Sequence, residues 1–153
     1  QTYFLWPLAL VAASLLTFTT AQAQQAGANL SPKQQITGFY ATCKNGEGGK
    51  GLRELLSTNP AVKPAEVDQV ARGFEGLLSQ MGKFLDFNIS REKVISDRTV
   101  VIRCIAHFER QPFVNEFTFY DSGDKWRLVH LRYDANLATM FADELREPEK
   151  TEN

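Results

Sequence analysis

The chain changes its hydrophobic period once, near residue 83, and that change divides it into a helical part and a sheet part. Before it, apolar residues recur at helical spacing. Ser31-Pro32 reads as a helix start, with Ser as cap and Pro at the first position, where its missing N–H costs nothing. Ile36, Phe39, Tyr40 and Cys43 follow on one stripe, and Asn45-Gly46 stops it. Leu52 to Ser57 predicts a short helix ended by Asn59-Pro60. Pro64 opens a longer one with Val67, Val70, Ala71, Phe74, Leu77, Leu78 and Met81 on its apolar side, closed by Gly82. From Phe84 the period is two. The strands predicted are Phe84 to Ile95, Thr99 to Phe108, Phe113 to Tyr120 and Lys125 to Asp134, joined by turns at Ser96-Asp97, Arg110-Gln111 and Ser122-Gly123. Asn136 to Arg146 predicts a short terminal helix, and Glu147 to Asn153 a polar tail.

Tight turns decide which residues face one another, and side chains alternate between faces. With the turn centred on Ser122-Gly123, Phe119 opposes Trp126, Phe117 opposes Leu128, Asn115 opposes His130 and Phe113 opposes Arg132. The other two turns set Phe108 against Phe113, Cys104 against Phe117, Leu85 against Phe108 and Phe87 against Ala106. The three turns agree on one apolar face: Leu85, Phe87, Ile89, Val100, Ile102, Cys104, Ala106, Phe108, Phe117, Phe119, Trp126 and Leu128. A slip of one residue at any turn would bring Arg103 and His107 into the Phe117 and Phe119 row. The helical stripes must cover this face, because exposing it would cost roughly 25 cal/mol per Å² of apolar area. The other face carries Asp86, Arg103, His107, Glu116, Thr118 and Arg127, with Asp86 opposed to His107. It also carries Val101, Ile105, Val114, Val129, Leu131 and Tyr133, which is too apolar for a simple solvated surface. A homodimer through Ile105, Val114, Val129, Leu131 and Tyr133 would explain that.

Charge and composition narrow the classes. With 17 basic against 18 acidic residues in 153, the chain lacks the basic excess of a nucleic-acid binder. The first 25 residues carry no charge, Phe4 to Phe18 is largely apolar, and Ala21-Gln22-Ala23 follows. This reads as a secretory signal over residues 1–23, with residues 24–30 as a flexible lead-in and 31–146 as one domain. The expected location is therefore periplasmic or secreted, with a membrane anchor as the alternative if the segment is not cleaved. An oxidising compartment permits a disulfide between Cys43 and Cys104, and two buried free thiols are the equal alternative. Neither cysteine has a metal-binding pattern around it. Gly46, Gly48, Gly49 and Gly51 lack the spacing of a phosphate-binding loop and read as a mobile connector.

Helices followed by a strongly bent four-stranded antiparallel sheet, with a short C-terminal helix, make an α+β plan. With Asp124-Lys125-Trp126-Arg127-Leu128 opening the last strand, the layout from Ser31 to Asp134 resembles the NTF2-like superfamily, sometimes described as a cystatin-like cone. That superfamily contains isomerases, dehydratases, ligand-binding modules and members of unknown role, so the resemblance implies a fold and no particular activity. It implies a pocket at the open end of the inner face, and the register above puts Asn115, His130, Arg132 and Ala106 there. His130 is the candidate acid–base residue, but no carboxylate joins it on that face to complete an isomerase or dehydratase set. The expectation is an exported, non-catalytic domain that binds a small apolar ligand or another protein, with no cofactor or metal. A small isomerase or lyase using His130 is the alternative.

Overall fold

The N-terminal helix begins as its cap residues dictate. Ser31 Oγ accepts from the Gln34 backbone N–H while the Gln34 side chain accepts from the Ser31 N–H, a reciprocal capping box that satisfies two otherwise orphaned donors. This helix, α1, runs Pro32–Lys44, and α2 (Gly48–Leu56) and α3 (Pro64–Met81) follow. Gly82, at φ +83°, ends α3 in a backbone region that L side chains rarely adopt. The computed structural model describes residues 29–142; the expected signal segment, all of the lead-in except Asn29 and Leu30, and the polar tail lie outside it. Among the described residues no helix is long and apolar enough to cross a membrane.

The glycine-rich stretch is helix, not a mobile connector. Gly48, Gly49 and Gly51 are buried in the first turn of α2. A Cβ on Gly51 would sit 1.9 Å from Thr42 Oγ1 of α1, and one on Gly49 would sit 3.0 Å from the Ala71 carbonyl of α3. The glycines are there because α2 presses its backbone onto both neighbours, which no larger side chain permits.

The sheet is a four-stranded antiparallel meander of β1 (Phe84–Ser96), β2 (Thr99–Phe108), β3 (Pro112–Asp121) and β4 (Trp126–Asp134). Its registers differ from the expected ones in instructive ways. Phe87 opposes Ala106 and Ile89 opposes Cys104 as predicted, but the turn lies one residue later, at Asp97-Arg98. Register shifts between Phe84 and Asp86, Ile89 and Arg91, and Val94 and Ser96 bend β1. Leu85 falls in the first shift and is 56% exposed, so Phe84 takes its expected place against Phe108. Between β2 and β3 the pairing has slipped by two residues, to Cys104 with Asn115 and Ile102 with Phe117. An even slip leaves every side chain on its predicted face.

The β3–β4 pair breaks the prediction. A four-residue connection, Ser122 to Lys125, moves Leu128 opposite Phe119. An extra residue, Val129, then bulges out, so that Thr118 opposes His130, Phe117 opposes Leu131 and Asn115 opposes Tyr133. One inserted residue reverses the face of everything after it. Leu131 and Tyr133, expected outside, turn inward: Leu131 packs on the core, and the Tyr133 ring meets Phe74 at 5.4 Å and Phe113 at 5.8 Å. His130 and Arg132, expected inside, turn outward.

The core lies between the helices and the inner face. Phe39, Phe74, Phe113, Phe117 and Phe119 are all at most 2% exposed. Each ring at that depth contributes roughly 2–3 kcal/mol of transfer free energy. The outer face is not bare either. A single helical turn, α4 (Leu137–Met140), folds back against β3 and β4 with Met140 buried, and Val114 on the outer face of β3 is fully buried. Of the five residues expected to form a dimer face, Ile105 and Val129 stay on the outer face partly or largely exposed, Val114 is buried, and Leu131 and Tyr133 turn to the inner side, where Tyr133 keeps 37% exposure.

Candidate functional site

The four expected pocket residues do not meet. Ala106 and Asn115 point into the core at 0% and 1% exposure, while His130 and Arg132 stand exposed on the opposite face because of the bulge at Val129. The centre of the inner face is sealed. Tyr40 from α1 reaches into it, and Asn115 Nδ2 donates to Tyr40 Oη at 2.8 Å. The Cys104 thiol lies beside the same hydroxyl. The Tyr40 ring stacks on Phe87 with centroids 4.1 Å apart and on Phe84 at 5.6 Å.

This centre is built to stay neutral. Burial raises the Tyr40 phenol well above its usual value, and the neighbouring Cys104 raises it further. Burial pushes the Cys104 thiol up to about 12, although the Tyr40 hydrogen bond pulls the other way. Desolvation disfavours the charged form of each group, so neither supplies a nucleophile or a base near neutral pH. Tyr40 is the residue that sequence reasoning passed over. It was visible as part of a helical stripe, and its signal was that a buried hydroxyl needs a partner where the opposing wall offers one polar residue, Asn115.

The two cysteines are free and buried. The equal expectation of a Cys43–Cys104 bridge gives way to free thiols. The Cys104 thiol lies beside the Tyr40 hydroxyl rather than bridged to Cys43.

An open groove does exist, at one end of the cone, where α1, α2 and α3 meet the paired ends of β1 and β2. Its volume is about 440 Å³. Leu78, Phe84 and Phe108 give it apolar walls, and the Cys43 thiol faces it. Lys44 and Lys83 stand at its rim with Glu75 and Glu109. Both carboxylates are turned onto backbone: Glu75 Oε2 accepts from the Gly49 N–H at 2.7 Å, and Glu109 Oε2 from the Lys83 N–H at 3.0 Å. Glu75 thereby satisfies an orphan donor in the first turn of α2, where a negative charge also meets the positive end of the helix dipole. Lys44 and Lys83 make no ion pair among the described residues. Burial, and then the Glu75 charge, push the Cys43 thiol up to about 12, so it is protonated at neutral pH.

Neither histidine lines this groove. His107 sits on the outer face with Nδ1 2.5 Å from Asp86 Oδ1, as their predicted opposition implies, and both side chains are open to solvent. Among the described residues no cluster of three His, Cys, Asp or Glu is placed to hold a metal.

The chain has an NTF2-like fold. It is similar to a putative calcium/calmodulin-dependent protein kinase type II association domain from Thiobacillus denitrificans, at 15% identity over 69% of this chain and 95% of that one, with a TM-score of 0.50. It is also similar to a DUF4783 family protein from Bacteroides uniformis, at 16% identity over 65% of this chain and 95% of that one, TM-score 0.49. A third similar structure is a putative NTF2-like transpeptidase from Campylobacter jejuni, at 16% identity over 64% of this chain and 97% of that one, TM-score 0.49. No family model matches the chain. No curated protein matches it either. Likeness at these identities speaks to the fold and not to an activity.

Proposed function

We propose that this protein is an exported, non-catalytic domain whose end groove binds a small molecule with an apolar body and an anionic end. The groove itself carries the reading. A volume of about 440 Å³ suits a small ligand, since such sites typically span roughly 300–1,000 Å³ with mostly apolar walls and a few polar groups. Leu78, Phe84 and Phe108 would take the apolar body. Lys44 and Lys83 would meet the anion, because the nearby carboxylates are already engaged by backbone N–H groups. The isomerase or lyase alternative needs a histidine at the ligand, and His130 lies on the other face of the sheet. Export rests on the uncharged apolar stretch Phe4 to Phe18 and the Ala21-Gln22-Ala23 that follows.

Titration calorimetry with decanoate tests the groove. Decanoate is expected to bind, Lys83→Glu to weaken it at least tenfold, and Leu78→Trp, which fills the groove, to abolish it. No binding of decanoate or decanol, together with a native mass spectrum showing nothing retained, would sink the reading. N-terminal sequencing of protein recovered from cells tests export: the expected first residue is Gln24.

A further inference from the structure

One row of the outer face is unlike the rest of this near-neutral chain. Arg91 of β1 pairs with Arg103 of β2, Arg103 with Glu116 of β3, and Glu116 with Arg132 of β4. A single line across all four strands thus carries three guanidinium groups and one carboxylate. Lys93 and His130 lie in the next row on the same face. Within the line, Arg103 Nε donates to Glu116 Oε2 at 2.9 Å and its Nη2 lies 2.8 Å from the same oxygen.

The chain's own C-terminal segment already follows this line. After β4 it folds back, and Arg132 Nη2 lies 3.5 Å from the Thr139 carbonyl oxygen. It then crosses β3, with Met140 buried, and reaches β2, where the Phe141 ring lies 5.0 Å from the Arg103 guanidinium carbon. The path is β4, β3, β2. The next strand in that direction is β1, where Arg91 is the register partner of Arg103. The sequence after Ala142 is acidic: five carboxylates stand against two bases, Arg146 and Lys150, from residue 143 to residue 153.

We propose that the Arg91–Arg103–Arg132 row is a docking site for an extended acidic segment, and that its occupant is the chain's own segment 143–153. Adjacent strands lie about 4.8 Å apart and an extended residue spans about 3.3 Å. Asp143 and Glu144, the first residues past Ala142, therefore reach Arg91 and Lys93 without stretching the chain. Single exposed ion pairs are weak, but a tethered segment meets its site at an effective concentration in the millimolar range, so weak pairs suffice.

Zero-length carbodiimide crosslinking of the full chain, read by mass spectrometry on a mixture of isotope-labelled and unlabelled protein, tests this. Lys93 is expected to crosslink to Asp143 or Glu144 within one copy. The yield should fall at least fivefold in 1 M salt, where screening acts over about 3 Å. It should fall similarly in Arg91→Glu, an exposed position whose change leaves the core intact. Three results would each overturn the proposal: no crosslink from Lys93 to any carboxylate of 143–153, a yield unchanged in salt and in Arg91→Glu, or crosslinks only between labelled and unlabelled copies. The last would point instead to a dimer through this face.

Discussion

The two faces of this sheet are held by different forces. On the inner face, rings from α1 and α3 close over rings from the strands: Phe39 meets Phe117 at 5.8 Å and Phe74 meets Phe113 at 5.9 Å. Its polar atoms are few, and Tyr40 and Asn115 bond one another. On the outer face a single turn of helix packs with Met140 buried, and the remaining order comes from charged pairs such as Arg127 with Asp124. Burial of apolar area is not weakened by charge screening, whereas exposed charge pairs are screened within about 10 Å at 0.1 M. The inner face therefore sets the stability of the domain, and the outer face is where ionic strength acts.

That comparison breaks first at the rings. Phe117→Ala removes a side chain with no exposed surface from the middle of the inner face and is expected to cost about 3–5 kcal/mol. A loss of unfolding free energy from urea denaturation smaller than a third of that would mean the inner face is not the principal core.

The neutral centre offers a second, pH-dependent check. Cys43 and Cys104 both have their ordinary value of 9.0 raised to about 12 in the folded protein. Below pH 9 the thiols are protonated in both states and the native advantage is complete. Between pH 9 and about 12 the unfolded chain ionises first, so stability falls as pH rises, by roughly 1 kcal/mol per unit for each thiol. Denaturation curves at pH 8 and pH 10.5 measure the slope, and Cys104→Ala should flatten it. A slope that survives replacement of both thiols would assign it to other groups.

The smallest effect tests the face assignment itself. His130→Ala on an exposed, outward-turned position is expected to change stability by no more than about 0.5 kcal/mol and to leave decanoate binding unchanged. A loss of binding would return His130 to the ligand and restore the catalytic alternative.

Reading the faces from turns succeeded where errors were even and failed where one was odd. The β2–β3 pairing is two residues from the expected register, yet Ile102, Cys104 and Ala106 all point inward as predicted. Val129 alone, bulging out of β4, moved His130 and Arg132 outward and Leu131 and Tyr133 inward. That bulge carries no mark in the sequence: Val-His-Leu-Arg-Tyr alternates in either register, and only packing against Phe74 and Phe113 selects the one with Tyr133 inside. The groove was invisible for a related reason. Cys43, Leu78, Phe84 and Phe108 come from four different elements, and no local pattern announces that their ends leave a gap.

The sequence by itself determined the order of elements, the helix stripes and the inward set on β2 and β3. Each depends on a period that one element displays alone. The tertiary structure decided the rest. Gly48, Gly49 and Gly51 start a helix whose backbone lies against α1 and α3, where an added Cβ would meet Leu78, Glu75 and Thr42. Tyr40 found Asn115 because an enclosed hydroxyl must bond to whatever lies opposite. The centre of the cone closed and its end stayed open because side-chain volumes from separate elements fill the space between them only in three dimensions.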